Sequence, residues 1–149
     1  MKISTWLTLL LLTAATTAFS AGPGDILGIW KTEGEESRVE IFPCGKKLCG
    51  RIVWLKNPVY SDSRDGEVGA PVIDRHNPEP ALRSRPVLGM VILEGFRAEG
   101  GVTWGGGTCY DPKNGTTYRG KMHLAAPDRL ELRGYVGIPL FGRTTVWSR

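Results

Sequence analysis

Thr116-Thr-Tyr-Arg-Gly-Lys-Met-His-Leu-Ala-Ala-Pro-Asp-Arg-Leu-Glu-Leu-Arg-Gly-Tyr-Val136 contains two runs of alternating character joined at Pro127-Asp128. Tyr118, Gly120, Met122 and Leu124 fall on one face, and Arg119, Lys121 and His123 on the other. Strict alternation is the period of a half-buried strand. Folding the stretch on itself sets Leu124 against Leu130, Met122 against Leu132 and Gly120 against Gly134. The apolar set then faces a core and the charged set faces water. Two facing glycines on the inner side leave room, either for coiling of the sheet or for something packed over them.

The preceding turn, Asp111-Pro-Lys-Asn-Gly115, reads as a loop over 113–115 with Gly115 in the left-handed position. That register sets Tyr110 opposite Tyr118. Further upstream, Cys44 and Cys49 face each other across a turn, which places Ile41 opposite Ile52 and Val39 opposite Trp54 on the apolar face. Period-two alternation recurs over Leu27–Glu33, Ser37–Pro43, Lys47–Leu55, Val87–Arg97, Gly101–Tyr110, Thr116–Leu124, Asp128–Val136 and Phe141–Arg149. No stretch sustains helical apolar spacing. Eight strands with mostly short links predict an all-β antiparallel meander, and such a sheet removes its exposed edges by closing into a barrel.

The chain has 149 residues, 41% hydrophobic and 23% charged, which bounds it to one globular domain. A net charge of +4 is too small for a nucleic-acid binder without a concentrated patch. Lys2, the apolar run from Trp6 to Phe19, and small residues at Ala18 and Ser20 read as a secretory signal peptide over residues 1–20. The run is shorter than the roughly 20 residues of a spanning helix, so no transmembrane segment is expected after cleavage. The domain is then residues 21–149. Within it, the segment Lys56–Pro86 is a long excursion carrying five of the ten prolines and balanced charge. It also carries a predicted helical turn capped by Asn77 and stopped by Pro86.

Gly28-Ile-Trp30 resembles the opening of a calycin barrel of the lipocalin or streptavidin type. In lipocalins a basic residue on the last strand packs over this Trp, a role the resemblance gives to Arg149 or Arg143. Four motifs together resemble a second family over nearly the whole chain after the leader. They are Gly28-x-Trp30, Cys44-Gly-Lys-Lys-Leu-Cys-Gly-Arg-Ile-Val-Trp-Leu55, Asn77-Pro with Leu82-Arg-x-Arg-Pro86, and Tyr110-Asp-Pro with Gly115-x-Thr-Tyr118. The family is the bacterial domain of unknown function 2147. The resemblance implies a secreted bacterial protein in the periplasm and lends no activity. Members often carry Cys in the segment matching Tyr135–Phe141; this chain has none there.

Cys44 and Cys49 in an oxidising compartment read as a disulfide clamping their turn. A zinc site would need four converging donors, and the paired spacing is absent. Cys109 alternates onto the face opposite Trp104 and Tyr110 and reads as a small packed residue. His76, beside Asp74, is the best enzymatic candidate, as a general base. It lacks any nucleophile motif, and a solvated loop histidine explains it as well. No metal, cofactor or catalytic residue is assigned, and the chain reads as non-enzymatic.

Two constellations remain. Trp54, Trp104, Tyr110, Tyr118 and Met122 project inward in these registers, above inward Gly50, Gly106, Gly120 and Gly134, and either line a cavity or fill a core. Arg83 and Arg85 in the excursion are candidates to meet an anionic head. Arg119, Lys121, Arg129 and Arg133, with Glu131 among them, form a basic outer face on adjacent strands. The leading expectation is non-catalytic binding of a small apolar or amphipathic ligand. The alternative is a cell-envelope protein that binds an anionic or protein partner through its outer surface.

Overall fold

A computed structural model describes residue 22 and residues 24–149; the leader expected over residues 1–20 lies outside the described residues. Eight strands run in chain order: β1 (Gly28–Lys31), β2 (Ser37–Cys44), β3 (Lys47–Leu55), β4 (Val91–Gly100), β5 (Thr103–Asp111), β6 (Thr116–Ala126), β7 (Arg129–Tyr135) and β8 (Gly142–Ser148). Each is antiparallel to the next, and β8 returns to β1, closing the barrel. The closure is narrow. β1 and β8 share one register pair, Lys31 with Ser148, whereas β7 and β8 share seven.

The β6–β7 hairpin has the register its alternation dictates: Leu124 pairs with Leu130, Met122 with Leu132 and Gly120 with Gly134. Outward positions along the wall, among them Arg38, Glu40, Arg51, Glu94, Arg97, Arg119 and Lys121, are charged and not buried. That is the reverse of a barrel whose wall faces lipid. No helix among the described residues is long and apolar enough to cross a membrane.

Turn lengths and bulges move two other registers from their expected places. In β2–β3 the turn is tighter than expected, so Cys44 pairs with Lys47 and Val39 with Ile52. A bulge next to Arg38 and Val39 then reverses the phase of β3. Trp54, expected inside, lies on the outer wall, 39% exposed with the Arg38 guanidinium 4.9 Å from its ring centre. In β5–β6 the loop is 112–115, one residue longer than expected. Cys109, not Tyr110, therefore faces Tyr118. A second bulge, at Gly105-Gly106, shifts the upstream half of β5 so that Trp104, Gly107 and Cys109 all point inward. Gly106, expected inside, is exposed at φ +70°. The phase change is the ordinary effect of one extra residue on one strand.

One end of the barrel is solid. Trp30 is fully buried and its indole Nε1 donates to the Ile26 carbonyl at 2.8 Å. Arg149 lies over the Trp30 ring at 4.1 Å and donates to the carbonyls of Asp25 and of Leu27, the latter at 2.9 Å. Arg143 sits at the far end of β8, paired with Glu33 at 3.0 Å. Above Trp30, the fully buried ring of Phe96 lies against Gly107 and Gly120, where any Cβ would collide with it. The room left by Gly120 is thus filled from β4. Trp104, Met122, Leu124, Leu130 and Trp147 complete the packed half.

The excursion folds back on itself and over the other end. Val59 bridges Pro71 and Ile73 bridges Pro86. Its helical turn is a short 3-10 segment, Pro80–Leu82, with Pro80 rather than Pro78 at its start. Asn77 does not cap it; its Oδ1 accepts from the Glu79 amide at 2.9 Å.

Candidate functional site

A cavity of about 1160 Å³ opens at the end of the barrel opposite Trp30 and Arg149. Its depth is apolar: Ile52, Leu55, Val72, Val87, Ile92, Leu93, Cys109, Leu132 and Trp147 contribute, with the Tyr118 ring. Strand alternation positions most of these. Leu132, Gly134 and Tyr118 come from the β6–β7 pair, Thr145 and Trp147 from the inward side of β8, and Val72 and Val87 from the excursion. Gly134 remains open: a Cβ there would meet Tyr118 at 3.5 Å, ordinary contact, and its backbone is unstrained. Gly134 is therefore where the interior changes from packed to hollow.

Charges are confined to the rim, and all but Asp111 are joined in pairs. Lys113 meets Glu36 at 3.1 Å, Arg143 meets Glu33 at 3.0 Å and Arg75 meets Asp65 at 3.3 Å. The Lys113 ammonium hydrogen-bonded to Glu36 holds that carboxyl below its ordinary range. Inside, the Cys109 thiol is pushed up to about 12 by burial, so it stays protonated and unreactive at neutral pH. The Tyr118 hydroxyl accepts from Asn114 at 3.3 Å. Such a chamber selects apolar bulk in its depth and tolerates a polar group at its mouth.

The excursion is held on the barrel by a fully buried carboxylate. Asp74 accepts from the Tyr110 hydroxyl at 2.5 Å, from Asn77 Nδ2 at 2.7 Å and from Arg85 Nε at 2.9 Å. Asn77 Nδ2 also reaches the Tyr110 oxygen at 3.1 Å, and Arg83 Nε donates to the Asn77 carbonyl at 2.7 Å. Gly115 completes the docking. Its φ of +71° needs glycine, and any Cβ would run into the His76 carbonyl.

These positions sort the candidates. Tyr118 lines the cavity, and Tyr110 borders it at the rim with its hydroxyl committed to Asp74. Trp104 and Met122 are buried in the packed half and do not reach the cavity. Trp54 is outside. Arg83 and Arg85, expected to meet an anionic head, are instead bonded to Asn77 and Asp74. Asp74 likewise does not orient His76: its oxygens face Tyr110, Asn77 and Arg85, while His76 Nε2 accepts from Arg75 at 3.2 Å on the surface. Cys44 and Cys49 form a disulfide with Cα atoms 5.7 Å apart. Gly134 and Leu132 were already read as inward; of the lining residues missed in the sequence, Ile92 and Trp147 had ordinary strand alternation as their only signal, and Val72, in the excursion, had none.

A closed eight-stranded antiparallel meander with one packed and one open end is a lipocalin-like barrel. The chain belongs to the bacterial family of domain of unknown function 2147, described as "uncharacterized protein conserved in bacteria", which matches residues 28–149. Among solved structures it is similar to protein HP1028 from the human pathogen Helicobacter pylori, described as belonging to the lipocalin family. The identity is 25%, over 83% of this chain and 82% of that one, with a TM-score of 0.69. A search of curated proteins finds no match.

Proposed function

We propose that this protein binds a small apolar or amphipathic molecule in its open-ended cavity, without catalysis, in the bacterial periplasm. The observation that carries the reading is the split interior: packed below Phe96, hollow and apolar above Gly134, with the charges kept to the rim. A volume of about 1160 Å³, mouth included, is large enough for a lipid-sized guest. The leader and the Cys44–Cys49 disulfide support an oxidising compartment. No charged side chain lines the depth of the cavity, so the guest's buried part is uncharged.

Gly134→Trp tests this directly, because the site accepts a side chain without backbone strain and the indole would occupy the chamber. Wild type is expected to take up an environment-sensitive apolar dye saturably, and the variant to lose that uptake at an unchanged melting temperature. Native mass spectrometry of protein released gently from its own periplasm should show an extra mass that leaves on organic extraction. A bare protein together with equal dye uptake by both forms would overturn the reading.

A further inference from the structure

The β7–β8 loop exposes four large apolar side chains in one short segment. Val136 is 65% exposed, Ile138 53%, Leu140 75% and Phe141 70%. The other exposed apolar residues, such as Ile29, Val68 and Leu88, lie in separate segments. Single exposed apolar side chains need no explanation, but four on one projecting tip do.

We infer that this tip inserts into the surface of an anionic phospholipid bilayer. Three features of the loop favour lipid over a protein groove. First, the carbonyls at the loop's tip are already satisfied. The Arg133 guanidinium donates to the carbonyls of Pro139 at 2.6 Å and Leu140 at 3.3 Å. The Phe141 amide donates to Ile138 at 3.1 Å and the Val136 amide to Phe141 at 3.3 Å. Four successive carbonyls therefore carry partners into a medium that offers none. Second, the charge is placed for headgroups. Residues 134–142 hold no charge and are bracketed by Arg133 and Arg143, with Tyr135 at the edge. No acidic residue follows Glu131 in the sequence. Arg119 and Lys121 extend the basic face on β6; the nearby acids, Glu99, Glu131 and Glu33, are paired with Lys121, Arg129 and Arg143. An apolar tip below a ring of Arg and Tyr has the layering of a membrane interface. Third, Val136 and Phe141 also border the cavity mouth, so insertion would hold that mouth at the acyl boundary.

The docking does not depend on what the cavity holds; an empty barrel would bind lipid equally. Purified protein is to be sedimented with vesicles of phosphatidylethanolamine and phosphatidylglycerol, and with vesicles of phosphatidylcholine alone. Binding to the anionic vesicles, weakened by salt, is expected. The double variant Leu140→Ser, Phe141→Ser should lower that partition by about tenfold or more at an unchanged melting temperature. In Phe141→Trp the added indole should shift its emission to the blue on vesicles and be quenched by brominated acyl chains. Three results would overturn the inference: no binding to the anionic vesicles, equal binding by the double variant, or a tip that proves to hold a dimer together while ignoring lipid.

Discussion

Phe96 divides the interior, because its ring lies where Gly107 and Gly120 leave space. Phe96→Ala is expected to cost about 3–5 kcal/mol and to deepen the cavity toward Trp30. Urea unfolding would show the loss, and dye titration would show a larger guest accepted. Tyr110 acts at the rim. Burial, its hydrogen bond to Asp74 and the Asp74 charge raise its phenol above the ordinary value of 10.0. The neutral phenol is thus favoured in the folded state. This contribution to stability is complete below pH 10 and is lost as pH climbs through the raised native value. Tyr110→Phe should flatten that alkaline loss. At neutral pH it should cost about 1.5 kcal/mol, the lower end for a hydrogen bond to a charged group. The family motif residues Asn77, Arg83, Arg85, Tyr110 and Gly115 were legible in the sequence as a set. That Asn77, Arg85 and Tyr110 converge on one buried carboxylate was not, since Asp74 and Tyr110 lie 36 positions apart.

Each strand was legible as a period-two run, and the β6–β7 hairpin was legible to its exact pairs. What alternation does not contain is the place where it skips. The bulges beside Val39 and at Gly105-Gly106 each turned downstream side chains over, taking Trp54 out of the interior and putting Cys109 into it. A run such as Val53-Trp54-Leu55 is apolar on both phases, so nothing in its composition locates the skip. The disulfide is less sensitive to register, because both cysteines stay on the outer face of the β2–β3 hairpin. Its closed loop is short, so Cys44→Ser with Cys49→Ser should lower stability by about 2 kcal/mol on the loop-entropy scale. The bridge sits at the end away from the mouth, so dye uptake at 25 °C should be unaffected by that pair of substitutions.

For the molecule as a whole, the meander and its closure followed from eight strands with short links, and the open end followed from nothing so simple. Whether the inward aromatics fill or line the barrel depends on which strand sends a large residue over facing glycines, and Phe96 on β4 does so at only one level. The narrow join between β1 and β8 has a consequence in time rather than in shape. A hoop fastened by one backbone pair, the Arg143–Glu33 ion pair, the Val146 amide on Glu33 and Arg149 over Trp30 breathes first at its clasp. Amide hydrogens of β1 and of the outer edge of β8 should exchange well before those of β6 and β7, as deuterium uptake followed by mass spectrometry would show. Arg149→Ala should quicken that exchange and lower stability by about 1 kcal/mol. A guest too broad for the mouth would then have a second way in, through a wall that parts along one line and recloses.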